Sequence, residues 1–334
     1  MLRVRSRAFT FPGLAILLVL AFSFEGAGKG ISRAFPGEEK KTDERRETVR
    51  KPAVAGMFYE SNPARLKEEI RGYLEKAHPR DVHGELIALV SPHAGYRFSG
   101  QAAAYGFKLV DPARIKRAVV LAPSHSVGFR GASIPDVRGY ETPLGEVFLD
   151  RDARGKLMEH TLVTSIPEAH SREHSLEVQI PFLQAILGQE FRLVPLVVGQ
   201  LREGDDHSLA VALREIVKKG DLVVVSSDFT HQGPRFGYVP YRENVKENIK
   251  SLDMGAVKHI LEKDAKKFTA YVEETGATIC GRFPISILLH LLPESAEGNL
   301  LTYYTSGDVL GDETDTVSYA AIAFGSPGGW EKEK

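Results

Sequence analysis

The sequence predicts an α/β fold, a single domain with a mainly parallel central sheet flanked by helices. Short apolar runs rich in β-branched residues recur along the chain, as in strands that are buried on both faces. Segments with helical periodicity separate these runs, and such alternation is typical of one α/β domain. In addition, three of the runs end directly in a loop that contains histidine, which is where binding sites form in parallel sheets.

The first half of the predicted domain, which begins at residue 51, contains both strands and helices. Asn62 is expected to cap a helix that starts with Pro63 and ends at Ala77, because apolar residues recur on one of its faces. The elements that follow are a strand at 86–90, a helix at 100–110 capped by Ser99, a strand at 118–121, an irregular or hairpin region at 131–150, a helix capped by Ser175 and a strand at 191–198. The first strand–helix–strand unit implies a right-handed crossover between parallel strands.

The second half repeats the pattern and ends in strands. The predicted elements are a helix at 208–219, a strand at 222–225, helices near 244–262 and 264–274, a helix with Pro284 in its first turn, and strands at 300–304 and 317–324. The domain is therefore expected to span 51–326, followed by a tail at 327–334.

Composition excludes some classes of function. The 43 lysine and arginine residues nearly balance the 44 aspartate and glutamate residues, which leaves a formal net charge of −1. Such a chain lacks the basic field that nucleic-acid binding needs, so nucleic acid is not an expected partner. Cys280 is the only cysteine, so the chain has no intramolecular disulfide and no cysteine-rich zinc module.

The N-terminus has the pattern of an export signal. Arg3, Arg5 and Arg7 precede an apolar run at 11–24, as in the charged and apolar regions of a signal peptide. We interpret 1–28 as a cleaved signal, which predicts a periplasmic or extracellular protein, or as an uncleaved membrane tether through residues 8–24. A cytoplasmic location would follow if the segment is neither. The charge-dense stretch 29–50 is interpreted as a flexible linker.

Four residues in loops after predicted strands suggest a metal site. His93 and His125 each follow a strand within a few residues, and Asp228 and His231 follow the strand at 222–225. Loops at the carboxyl ends of parallel strands converge, and imidazoles with a carboxylate can hold a metal ion. Each histidine alone could equally bond a nearby carbonyl group.

Cys280 is a further candidate ligand. It precedes the helix near Pro284, and Arg282 is two residues away. A helix N-terminus and a guanidinium both favour the thiolate form, which binds metals or acts as a nucleophile. The alternative is an inert, buried thiol.

The stretch 170–174, HSREH, formally matches the H-x-x-E-H pattern of a class of zinc peptidases. That interpretation requires one continuous helix, whereas Ser171 and Ser175 are typical of turns and caps, so we disfavour it. Glu177 is a candidate acid/base or a partner that orients a metal ligand, or else a carboxylate that caps its helix. Motifs for a serine hydrolase elbow, a phosphate-binding loop and a dinucleotide fold are absent from the sequence.

Six blocks of the sequence, taken together, resemble one protein family. They occur in the order PAVAGMFY, SPHAGYRFSG, APSHS, EHSLEVQIPFL, VVSSDFTHQG and TICGRFP. This order and spacing resemble the Memo family, called AmmeMemoRadiSam system protein B in prokaryotes, over about residues 51–324. The resemblance implies a fold like that of the class III, LigB-type extradiol dioxygenases, which hold non-haem iron.

The resemblance also implies a site and partners. The family's metal positions fall on His93, His125 and Cys280, with Asp228 and His231 beside them. This set departs from the two histidines and one carboxylate of the ring-cleaving enzymes, and thiolate suits copper or iron, with zinc as a further candidate. The prokaryotic family name implies radical-SAM and AMMECR-type partners, which are expected in the cytoplasm.

These observations lead to one main hypothesis and two alternatives. The main hypothesis is a mononuclear non-haem site for iron or copper in a dioxygenase-like oxidoreductase, with proton transfer by His231, Asp228 or Glu177. The alternatives are a non-catalytic protein that handles the metal, and a metal-free crevice that binds a peptide. The small-molecule or peptide ligand is not identified by the sequence.

Overall fold

A computed structural model describes residues 48–330 of the chain. Its strands are β1 (Val49–Arg50), β2 (Glu85–Ser91), β3 (Arg117–Pro123), β4 (Ala132–Ser133), β5 (Gly139–Thr142), β6 (Gly145–Phe148), β7 (Val163–Thr164), β8 (Arg192–Val198), β9 (Asp221–Ser226), β10 (His231–Gln232), β11 (Glu297–Thr305) and β12 (Thr316–Ser326). Its helices are α1 (Pro63–Lys76), α2 (Tyr96–Phe107), α3 (Arg151–Leu157), α4 (Pro167–Ser171), α5 (His174–Glu177), α6 (Ile180–Leu187), α7 (Asp205–Ile216), α8 (Val245–Leu261), α9 (Ala265–Thr275), α10 (Arg282–Leu291) and α11 (Ser306–Leu310).

Nine strands form the central sheet in the order β10-β12-β2-β9-β3-β8-β4-β7, with β11 paired to β12. The four central strands β2, β9, β3 and β8 are parallel to one another, whereas β12 runs antiparallel to β2, β10 and β11. A small second sheet has the order β1-β5-β6. The predicted α/β class with a central sheet flanked by helices is confirmed, but the sheet is mixed: its four central strands are parallel, whereas β4 runs antiparallel to β8 and β12 antiparallel to β2. Because β2, β9 and β3 are parallel neighbours, the loops that follow them meet at one edge.

The core lies on both faces of this sheet. Val119 and Leu121 of β3 pack in a cluster with α7, α8, α9 and α10, whereas the alternate residues Ala118 and Val120 pack in a cluster with α1, α2 and α6. Side chains of a strand alternate between faces, so a strand covered by helices on both sides must be apolar throughout. This explains the unbroken apolar runs of the sequence.

Two helices begin before the serine that was predicted to cap them, whereas a third is capped as predicted. Asn62 caps α1 as predicted, accepting from Ala64 N and Arg65 N. The helix predicted at 100–110 begins instead at Tyr96, because the Ser99 hydroxyl donates to Ala94 O within the first turn. Ser175 likewise lies inside α5, whose N-cap is Glu173.

The folded region extends further toward the N-terminus than predicted. Val49 and Arg50, assigned to the flexible linker, form β1, and Arg50 is only 7% exposed. At the other end, Trp330 of the predicted tail donates its indole N–H to Asp221 O at 3.1 Å. The predicted signal or tether at 1–28 and the linker up to residue 47 lie outside the described residues. Between residues 48 and 330, no helix is long and apolar enough to cross a membrane.

Candidate metal centre

The structure brings His93, His125 and Cys280 together. His93 lies two residues after β2, His125 two residues after β3 and Cys280 two residues before α10. One ligand atom from each of the three side chains lies within 4.8 Å of the other two. Asp228 follows β9, which lies between β2 and β3, so the parallel topology accounts for this convergence.

The hydrogen bonds of His93 fix which ring nitrogen is free. Its Nδ1 lies 2.9 Å from the hydroxyl of Ser226. That hydroxyl donates its proton to Ser175 O and accepts from the amide of Gln179. Its remaining lone pair can only accept, so His93 donates through Nδ1–H. The lone pair of Nε2 therefore faces the Cys280 sulfur, which lies 3.1 Å away, and this is the arrangement of a metal-binding histidine.

His93 is kept neutral by its surroundings. Burial, followed by the nearby imidazoles of His125, His174 and His231, lowers the pKa of His93 well below its ordinary value. A neutral imidazole is the form that binds a metal ion.

His125 is held from outside the cluster by Glu173. The backbone N–H of His125 donates to Glu173 Oε2 at 2.7 Å and its Nδ1–H donates to Oε1 at 2.8 Å. Burial alone would raise the pKa of Glu173, but the hydrogen bonds and charge of His125 hold it at about 2. The His125 side chain is 33% exposed, so solvent or a ligand can reach this side of the cluster.

The environment of Cys280 corrects the expectation that its thiolate is favoured. Burial, followed by the charge of Asp228, raises the pKa of the Cys280 thiol well above its ordinary value. Hydrogen bonds from Asp228, Ser227 and Gly281 act in the opposite direction and lower this pKa, whereas the Arg282 guanidinium lies over the Phe283 ring at 4.5 Å. A bound cation would add to the stabilisation of the thiolate that these hydrogen bonds provide.

Asp228 and His231 lie beside the cluster, as predicted. Asp228 Oδ1 accepts from His93 N at 2.7 Å, and its Oδ2 is 3.9 Å from His93 Nε2. Burial raises the pKa of Asp228. His231 donates Nδ1–H to Phe229 O at 2.9 Å, which leaves its Nε2 free to accept a proton.

The Glu177 carboxylate contacts the N-terminal segment rather than the three candidate ligands. Both of its oxygens are engaged by the N-terminal segment: Arg50 and the backbone N–H of Ala53 bind Oε2, while Val54 N and the Tyr59 hydroxyl bind Oε1. The carboxylate is fully buried and anchors this segment. These contacts favour the structural alternative for Glu177 over its predicted role in proton transfer.

The zinc-peptidase pattern is not formed. His170 lies in α4 and His174 begins α5, with Glu173 as the cap between them. The ring of His170 is bonded to the Tyr140 hydroxyl at 2.8 Å and to Ser133 at 3.0 Å. The two histidines therefore do not share one helical face.

Two residues of this stretch belong to the site nonetheless. His174 stacks on His125 with ring centroids 4.6 Å apart, and Phe58 covers its ring at 4.8 Å. Burial, followed by the charge of His125, lowers the pKa of His174 to about 4. Glu173, His174 and His125 also form a second group that could hold a metal ion, but Glu173 already accepts three N–H groups. Sequence reasoning missed Glu173, although its place directly before His174 was a usable signal.

Comparison with known proteins shows the family. The family model described as Memo-like protein matches residues 50–323. A MEMO1 family protein of Nitrosopumilus maritimus is 34% identical over 285 residues, covering 83% of this chain and 99% of the relative. A memo-1 homolog of Caenorhabditis elegans is 32% identical over 290 residues, covering 82% of each chain. The crystal structure of an uncharacterized Escherichia coli K12 protein superposes with a TM-score of 0.46 at 15% identity, over 71% of this chain and 99% of that one. The chain belongs to the Memo family.

Proposed function

We propose that the protein binds one transition-metal ion through His93, His125 and Cys280 and acts as a metal-dependent oxidoreductase. The observation that carries this proposal is the convergence of three donor atoms within 4.8 Å from three distant segments. In addition, both histidines have Nδ1 bound to an acceptor, so that Nε2 is available in each.

The chemistry of the donors favours iron or copper, with zinc as a third candidate. A thiolate with two imidazoles is softer than the set of imidazoles and carboxylate typical of non-haem iron oxygenases. Iron or copper held there would supply a change of oxidation state and polarise a bound oxygen atom.

The other residues of the site would accept a proton, support the His93 loop and leave the metal ion accessible to a substrate. His231 has a free Nε2 and lies close enough that its charge affects the pKa of His93. Asp228 fixes the backbone of the His93 loop through two N–H groups. Because three side chains leave coordination positions open and His125 is partly exposed, this arrangement favours an enzyme over a closed site for metal storage.

Metal analysis and oxygen uptake together test the proposal. Protein purified anaerobically without chelator is expected to contain close to one iron or copper ion per chain, and His93→Ala and Cys280→Ser should lose it. Oxygen consumption with catechols or thiols should stop in His125→Ala. The matched control is His83→Ala, because His83 is exposed. If the wild type binds the metal ion but its oxygen uptake is as low as that of every variant, the protein handles metal without catalysis and the proposed enzyme activity is contradicted.

A further inference from the structure

A cavity lies beside the candidate metal centre. It has a volume of about 520 Å³, and Cys280 forms part of its wall together with the loops after β3 and β8, the end of α9 and the start of α10. Apart from the Cys280 thiol, two ionisable side chains line it, Glu273 and Arg282. The other lining side chains are apolar or neutral, among them Val198, Gln200 and Thr278. Of the three candidate ligands only Cys280 lines this cavity, so a ligand held here would approach the centre from the side of Cys280.

Arg282 differs from the arginines that stabilise the fold. Arg117 and Arg130 are bonded to carboxylates, at 2.8 Å to Asp150 and at 2.7 Å to Asp205. Within residues 48–330 Arg282 has no carboxylate within 4.0 Å, and its guanidinium lies over the ring of Phe283 at 4.5 Å. The ring restrains the guanidinium without using its N–H donors. Arg282 also lines a smaller adjoining cavity of about 160 Å³, again with Glu273 and Phe283.

We infer that Arg282 binds the oxyanion of a small substrate whose other end reaches the metal ion. This inference rests on the proposed function and names its substrate class: a molecule that carries a carboxylate or phosphate group. A guanidinium presents paired donors that match the oxygens of these groups, and charge-assisted hydrogen bonds of this kind are the strong ones.

Glu273 sets the orientation of such a substrate. It lines the same cavity and forms no ion pair with Arg282 among the described residues. Its negative charge repels an oxyanion, so the anionic group is directed toward Arg282, and removing that charge strengthens the binding of an anion.

Hydroxamates provide the test, because this group binds a metal ion and can carry a second substituent. Protein loaded with cobalt(II) is titrated with benzohydroxamate, 4-carboxybenzohydroxamate and 4-phosphonobenzohydroxamate, and the visible spectrum of the cobalt reports binding. The wild type should bind at least one anionic probe about ten-fold more tightly than benzohydroxamate. Whichever anionic probe binds more tightly shows whether the site prefers a carboxylate or a phosphate group in its substrate.

Variants show whether Arg282 is responsible. In Arg282→Gln the anionic probe should lose its ten-fold advantage while benzohydroxamate binds as before, and in Glu273→Gln the advantage should grow. The matched control is Arg242→Gln, an exposed arginine that lies outside this cavity, and it should behave like the wild type. Arg282→Lys, which keeps the charge but not the paired donors, should retain part of the advantage.

Two different failures are distinguishable. Equal affinity of all three probes in the wild type, with a clear spectral response, would overturn the role of Arg282 and leave the metal site intact. A cobalt-loaded protein whose spectrum responds to none of the probes would contradict the open coordination position in the proposed function, and the inference with it.

Discussion

At the scale of single residues, the candidate centre depends on the partners of its imidazole rings. His93 donates Nδ1–H to Ser226, His125 to Glu173 and His231 to a backbone carbonyl. The sequence showed which residues follow strands, so His93, His125 and Asp228 could be predicted as neighbours, whereas Cys280 precedes a helix and its place beside them was implied by the family resemblance. It did not show Ser226 and Glu173 as their partners, because these contacts join segments whose relative placement depends on the whole fold.

Replacing Glu173 tests this arrangement. In Glu173→Gln the side chain loses the charge that holds His125, so we expect metal affinity to fall about 10- to 100-fold, as for other partners of metal-binding histidines. Competition with a chelator of known affinity measures the loss. Glu168→Gln, a change at an exposed glutamate of α4, is the control, and equal affinity of the two variants would refute the role of Glu173.

His170 predicts a dependence of stability on pH that does not involve the metal. Burial, followed by the charge of Arg50, lowers the pKa of His170 to about 3. The unfolded chain binds a proton at this histidine near its ordinary pKa of about 6.5, so its neutral form stabilises the fold above that pH, and stability falls as the pH decreases from 6.5 toward 3.

When the pH is lowered from 7 to 5, protonation of His170 in the unfolded chain should reduce the unfolding free energy by about 2 kcal/mol. Urea unfolding of the wild type and of His170→Gln at both pH values measures this loss of unfolding free energy, which should be about 2 kcal/mol smaller in the variant. His83→Gln, a change at an exposed histidine, should keep the full pH dependence. The same change of unfolding free energy with pH in all three proteins would show that folding does not lower the pKa of His170.

At the scale of elements, the apolar strands and the helices between them could be predicted, whereas the N-terminal segment could not. Residues 48–50 resemble the charged linker in composition, yet Arg50 is buried against Glu177 and donates to His170 O and Glu173 O. Composition describes an average environment. It does not reveal a single arginine whose partners lie more than a hundred positions away.

This segment should be important for stability. Removing one partner of a buried ion pair leaves the other charge unpaired, at a cost of about 3–5 kcal/mol. Arg50→Met should therefore lower the unfolding free energy by that amount in urea titrations. Lys51→Met is the control, because Lys51 pairs with Glu141 at the exposed surface, where pairs contribute at most about 1 kcal/mol. Similar, small losses in both variants would mean that Arg50 is not an anchor.

At the scale of the whole molecule, the parallel sheet explains why the site is where it is. Two layers of helices cover the sheet, and the loops after β2, β9 and β3 form the edge where His93, Asp228 and His125 meet. This level of organisation could be inferred from alternating strands and helices. The antiparallel pairing of β12 with β2 could not, since strand order depends on long-range contacts that leave no local pattern.

The N-terminal segment leads to a separate prediction for the full chain. We propose that residues 1–28 direct export, because basic residues precede a short apolar run. Expression of the full chain followed by fractionation should place it outside the cytoplasm, with a new N-terminus after cleavage or with tethering to the membrane. A soluble cytoplasmic protein that retains Met1 would refute export and would favour the radical-SAM and AMMECR-type partners, which we otherwise do not expect to meet this chain.

X-ray absorption spectroscopy of the metal-bound protein tests the central claim most directly. The spectrum should show one sulfur atom at about 2.3 Å from the metal together with imidazole nitrogens at about 2.0 Å, values expected for such ligands. Cys280→Ser should lose the sulfur contribution. A spectrum of the wild-type protein with only oxygen and nitrogen ligands would contradict a centre built from His93, His125 and Cys280.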